Sequence, residues 1–120
     1  MSSITDIDVV SSYTDFEALR AALQIPEERL VQAAGIPFAV LRERRLEGCF
    51  NSAESCRLTR FSDLFHNAAQ ALESEVAASS WLTRPGPRFG GLAPLEFAAT
   101  KSGYQEMCDI VEHVADDGFG

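Results

Sequence analysis

The chain has 120 residues, 46% of them hydrophobic, which is enough for one small domain or two helical subdomains sharing a core and too apolar for wholesale disorder. Its formal charge of −8, from 10 basic and 18 acidic residues, argues against non-specific binding to nucleic acid or anionic membrane and leaves a basic protein partner open. Three cysteines without a C-x-x-C pair argue against a disulfide framework or zinc site and read as small buried thiols in a reducing cytoplasm.

Residues 1–12, opening "MSSITDIDVV", mix Ser, Thr and Asp with scattered Ile and Val; they read as a loosely ordered arm, with a short strand as the alternative. They lack the basic start of a signal peptide, and no apolar run reaches membrane-span length, so a cytoplasmic chain with no membrane partner is expected. From Tyr13 the period becomes helical, with Phe16, Leu19, Ala22 and Leu23 on one face and Thr14 as N-cap ahead of Glu17. Pro26 suits a first helical position, followed by Glu27 and Glu28 where the helix dipole favours acids. Leu30, Val31 and Ala34 form that helix's apolar face, and Gly35 ends it in the left-handed conformation. Pro37 opens the next helix, with Phe38, Leu41 and Val40 inward, Arg42, Glu43, Arg44 and Arg45 outward, and Gly48 at its end. Two short helices joined by a tight glycine turn make a helix-turn-helix pattern.

The segment "NSAESCRLTRFSDLFHNAAQALES" is the clearest helix. Asn51 or Ser52 caps it, and Asn51 stands at capping-box distance from Glu54. Leu58, Phe61, Phe65, Ala68 and Leu72, widened by Leu64, form a heptad-like seam that reads either as the central core helix or as a dimer interface. Ser74 caps a further short helix carrying Val76, Ala77 and Trp81. Pro94 starts a brief one, and Thr100 caps the last, whose inward face is Tyr104, Met107 or Cys108, Val111 and Val114. Gly118 and Gly120 close the chain around Phe119. The expected fold is all-α, divided into an arm (1–12), a helix-turn-helix bundle (13–73) and a small helical domain with a C-terminal tail (74–120).

Catalysis is not expected. His66 and His113 are the only histidines and read as surface residues, outside any metal-binding spacing. Gly90 and Gly91 lack the preceding strand and following Lys-Ser or Lys-Thr of a phosphate loop. The acids match no calcium loop, so neither metal nor cofactor is implied. Segment 42–60 carries five Arg against three acids, a local +2. Arg42, Arg44, Arg45, Arg57 and Arg60 either contact phosphates or form a solvated face. The N-terminal turn that normally reads bases is Pro37, Phe38 and Ala39, with no polar reader, so any DNA contact is backbone-dominated.

The stretch "WLTRPGPRFGGLAPLEFAA" (81–99) is neither a polar linker nor a phosphate loop. Pro85 and Pro87 stop the preceding helix, and Gly90 and Gly91 allow a turn that lets the helix at Pro94 fold back, bringing Phe97 towards Trp81. A rigid, partly apolar platform of this kind suits protein binding.

These residues resemble the Xre/MbcA/ParS-type antitoxins, whose C-terminal toxin-binding domain carries the signature W-L-x-x-P-x-P-x-x-G-G-x-x-P-L-x-x-x-A-T. Trp81, Leu82, Pro85, Pro87, Gly90, Gly91, Pro94, Leu95, Ala99 and Thr100 match it, and "AAGI", "LRERRLEG" and "SAESCRLTRF" are similar to the family's Xre-type helix-turn-helix half. The resemblance implies an antitoxin that neutralises a cognate RES-domain toxin, an NAD-consuming protein, by occluding its active site with the C-terminal tail. It also implies autorepression through operator DNA and a homodimer within a toxin–antitoxin hetero-oligomer. The toxin-binding residues it implies are Trp81, Arg88, Phe89, Gly90, Gly91, Phe97, Tyr104, Glu112, His113, Asp116, Asp117, Gly118, Phe119 and Gly120. The DNA-binding set is Arg42, Arg44, Arg45 and Arg57. Two departures stand out: "HVADDGFG" has two acids where relatives more often have one, and the recognition helix starts apolar. Segment 101–120 holds one Lys against five acids, a local −4, able to mimic an anionic ligand or to act only as a frayed solubilising end. The alternative reading is a DNA-binding regulator whose C-terminal domain only dimerises.

Overall fold

A computed structural model of the chain describes residues 11–85 and 91–117, with side chains as far as position 112. Among these residues there are seven helices and no strand. They are α1 (Tyr13–Leu23), α2 (Glu27–Ala34), α3 (Phe38–Glu47), α4 (Ser52–Leu72), α5 (Glu75–Thr83), α6 (Pro94–Phe97) and α7 (Lys101–Asp117). The expected all-α class holds. Residues 1–10 of the arm lie outside the described residues.

α1 begins two residues earlier than its sequence suggests. Ser12, not Thr14, is the N-cap, its hydroxyl accepting from Asp15 N–H at 3.0 Å. The cause is long-range: Phe50 N–H donates to Ser11 O at 2.8 Å and Tyr13 N–H to Gly48 O at 2.9 Å. These bonds hold Ser12 extended against Cys49, and the helix starts as soon as they release the chain. Pro26 is the N-cap of α2 rather than its first residue, a shift of one position.

Gly35 closes α2 at φ 72°, and Ile36 N–H returns to Val31 O at 2.9 Å. That closure turns Ile36 into the core at 3% exposure, so Phe38, expected inward, stands 61% exposed while Leu41 alone of α3 is buried. α4 carries the expected capping box between Asn51 and Glu54. α4 and α5 are joined through Glu73 and Ser74, the Ser74 hydroxyl capping α5 by accepting from Ala77 N–H at 3.1 Å.

The inward face of α5 differs from the expected one. Ala78, Ser79 and Leu82 are buried, Ala77 and Trp81 half-buried, and Val76 is 67% exposed. The small side chains at 78 and 79 let α5 lie close to its neighbours, and the Ser79 hydroxyl donates to Leu23 O at 2.6 Å, satisfying the end of α1.

α4 is the axis of the molecule. Leu58, Phe61, Leu64, Phe65 and Ala68 are all at 3% exposure or less, packed within a core that also holds Phe16, Leu30, Leu82, Leu95 and Met107. The seam is therefore core, not a dimer interface. The turn at 73 separates helices but not cores, because α5 and α7 pack on α4 together with α1 and α2. The cysteines depart from expectation: Cys49 and Cys56 are exposed, and only Cys108 is half-buried. His66 is exposed, as expected.

Candidate functional site

Two backbone pins flank the Pro/Gly stretch. The Arg29 guanidinium donates to Thr83 O, before the loop, and Arg60 Nη1 donates to Ala99 O at 3.0 Å, after it. Gly91 adopts φ 87°, the conformation that favours glycine. Pro94 then starts α6, where the Glu96 carboxylate accepts from Ala93 N–H at 2.9 Å. Thr100 caps α7 as expected, accepting from Gly103 N–H at 3.1 Å.

α6 packs on both α5 and α7, which sets Trp81 and Phe97 half-buried against one core. Tyr104 follows in the first turn of α7, and burial pushes its hydroxyl up to about 12, with a hydrogen bond to Cys108 acting in the same direction. A further α7 position was not legible in sequence. A Cβ on Gly103 would lie 1.9 Å from Phe97 O, so α6 and α7 meet at a backbone contact that only glycine permits.

Beyond Tyr104, a groove of about 320 Å³ runs between α4 and α7, lined by Asn67, Gln70, Ala71, Cys108, Val111 and Glu112. Asn67 and Gln70 were not singled out from sequence, since polar residues on the outer face of a long helix carry no local signal. Glu112 is exposed. Arg88, Phe89, Gly90, Gly118, Phe119 and Gly120 lie outside the described residues, as do the side chains of His113, Asp116 and Asp117. The backbone of α7 continues through Asp117, so the two acids belong to its last turn, which holds no base. Carboxylates there oppose the helix dipole.

The four arginines assigned to DNA divide unevenly. Arg42 is exposed. Arg44, expected outward, turns onto α4: its Nε and Nη2 donate to the two oxygens of buried Glu54 at 2.7 and 3.0 Å, and Nη1 donates to Glu47 at 3.1 Å. This fork holds the Glu54 carboxyl below the usual carboxylate range and raises Arg44 above its ordinary value. Arg45 donates to Glu27 at 2.8 Å and to the Tyr13 hydroxyl at 3.1 Å, and lies 5.7 Å from that ring's centre. Tyr13 in turn donates to Glu27, whose carboxyl is lowered first by Glu17 beside it and then by this hydroxyl. Burial, with Glu27 next, pushes Tyr13 up to about 12. Arg57 is half-buried with its Nε unbonded. Two of the four guanidinium groups thus tie helices together.

Residues 67–115 match the antitoxin Xre/MbcA/ParS C-terminal toxin-binding domain. The match covers the last six residues of α4, then α5, α6 and most of α7, and so contains Trp81, Gly91, Phe97, Tyr104, Glu112 and the α4–α7 groove. The chain is also 30% identical over 89 residues to Antitoxin Xre of Yersinia enterocolitica, covering 72% of this chain and 60% of that protein. The chain spans about 60% of the length of that curated relative. Among the described residues no helix is long and apolar enough to cross a membrane, and no group of three or more His, Cys, Asp or Glu is placed to hold a metal ion.

Proposed function

We propose that the chain is an antitoxin without catalysis of its own, which binds a cognate RES-domain toxin and occludes the pocket where that toxin consumes NAD. The observation that carries this reading is the match of residues 67–115 to a toxin-binding domain, on a surface where α5, α6 and α7 are fixed to one another. The platform of Trp81, Phe97 and Tyr104, continued by Arg88, Phe89, Gly90 and Gly91, holds the toxin. α7 then directs Glu112, His113, Asp116, Asp117 and the segment Gly118–Gly120 towards the NAD pocket.

Electrostatics support the direction of insertion. An NAD site must accept a pyrophosphate, and basic groups that do so attract a carboxylate-rich helix end. Asp116 and Asp117 stand where the helix dipole disfavours them, a local cost consistent with a partner that supplies positive charge. Autorepression of the operon has less behind it. Arg44 and Arg45 already hold intramolecular carboxylates, leaving Arg42 and Arg57 for phosphates, and the exposed residue at the head of α3 is Phe38. The regulator reading, in which residues 74–120 only dimerise, is therefore second.

Co-expression of the chain with a RES-domain toxin tests the proposal. The expected result is growth rescue by the chain and a stable complex on purification. Gly91→Val should weaken that complex, since the left-handed backbone rejects a β-branched residue although nothing lies within 4 Å of the added Cβ. Continued growth arrest with the chain at full expression contradicts the proposal.

A further inference from the structure

α5 ends unlike the four helices before it. α1, α2, α3 and α4 each close in a left-handed residue whose backbone N–H returns to the last turn: Gln24, Gly35, Gly48 and Glu73. At the end of α5, Arg84 is extended at φ −93°, ψ 121°, and Pro85 has no N–H to give back. The Thr83 carbonyl is capped instead from a distance, by the guanidinium of Arg29 on α2. The same device recurs after α6. Arg60 of α4 donates to Ala99 O at 3.0 Å, immediately before Thr100 caps α7.

Both arginines are half-buried, and each bond is charge-assisted. Trp81 shares the last turn of α5 with Thr83, Phe97 ends α6 just before Ala99, and Tyr104 lies in the first turn of α7. Glycine and proline set the direction of the chain at Gly91 and Pro94, but the separation of the two flanks is set by what holds them. α2 also packs on α6, so the helix that bears Arg29 touches both sides of the stretch. Neither arginine lies within residues 67–115. The matched stretch therefore takes both of these donors from the helices outside it.

We infer that Arg29 and Arg60 are positioning residues for toxin binding: they fix the end of α5 and the start of α7, and with them the spacing of Trp81, Phe97 and Tyr104. The inference rests on the toxin-binding reading above and adds to it the residues that keep the surface in its binding-competent form. Without either donor the surface samples other spacings, and affinity falls in proportion to the competent fraction. Arg60 is thereby withdrawn from DNA phosphates.

Three variants of the full chain test this: Arg29→Met, Arg60→Met and, as a control, Arg20→Met. Methionine keeps an apolar stem and removes the donors. Trp81 is the only tryptophan, so its emission reports on the end of α5. In the free chain, Arg29→Met should raise the acrylamide quenching constant of Trp81 about twofold, and Arg60→Met should speed amide exchange at residues 99–104 about tenfold. Affinity for a RES-domain toxin, measured by titration calorimetry, should fall about tenfold in each. Arg20 Nη1 makes the same kind of bond, to Ile25 O at 3.2 Å, and its other partner is Glu17. Arg20→Met should therefore lower the unfolding midpoint and leave quenching, exchange and affinity at parental values. An equal loss of affinity in all three variants overturns the inference, because stability rather than position would be the cause. Parental quenching and exchange in the first two, or parental affinity, overturn it as well. A parent chain that binds no RES-domain toxin defeats the reading on which the inference rests, while quenching and exchange still decide whether the two arginines hold the surface.

Discussion

Gly91 and Gly103 show two separate reasons for a glycine. At Gly91 the backbone is left-handed and the space around it open, so asparagine, which tolerates that region, should be accepted where valine is not. At Gly103 the backbone is helical and the obstacle is Phe97 O. Gly103→Ala should cost about 1–3 kcal/mol in urea unfolding by forcing α6 off α7. An unchanged midpoint would mean that the two helices are not held in contact there. The first glycine was legible from its Pro/Gly setting; the second was not, because a close approach between distant backbones leaves no trace in local pattern.

Glu54 belongs to the same scale. Its pKa is lower in the folded chain than in the unfolded one, chiefly through Arg44. The pair's stabilisation is complete above the ordinary carboxylate pKa and is lost as pH falls through the lowered folded value. Glu54→Gln should lower stability by about 1–3 kcal/mol at neutral pH and flatten that acid limb. Equal acid sensitivity in mutant and parent, measured by urea unfolding between pH 7 and pH 3, would exclude the fork as its source.

Among the elements, α4 was the most legible. Its capping box and repeating apolar positions determine both its start and its buried face, and the structure adds only that the partner is the chain itself. Phe61→Ala should therefore destabilise by about 3–5 kcal/mol without changing the association state of the folded protein. A folded variant whose association state in sedimentation differs from the parent's would restore the interface reading. α3 and α5 were harder. Both are short, and their buried faces are decided by neighbours: Ile36 displaces Phe38, and the Ser79 bond to α1 turns α5 so that Val76 faces out. Arg44 was misread for the same reason, since its acceptor lies on the next helix. Periodicity finds an apolar stripe, but it cannot find a partner ten or more residues away.

At the scale of the molecule, the helices N-terminal to the loop and those after it share one core around α4. The left-handed turn at Gly91 and the helix start at Pro94 were legible because glycine and proline are backbone constraints visible in any sequence. The reach of α7 was legible as well: the segment "KSGYQEMCDIVEHVAD" reads as helix through Asp116, one residue short of its end at Asp117. The central claim is that this helix and its extension block NAD consumption while the platform holds the toxin. The direct measurement is NAD concentration over time in a mixture of the RES-domain toxin with an equimolar amount of either the full chain or a chain ending at Ala115. The account predicts no NAD loss with the full chain, and NAD loss at the free-toxin rate with the truncated chain, which still co-elutes with the toxin. Full protection of NAD by the truncated chain would contradict it.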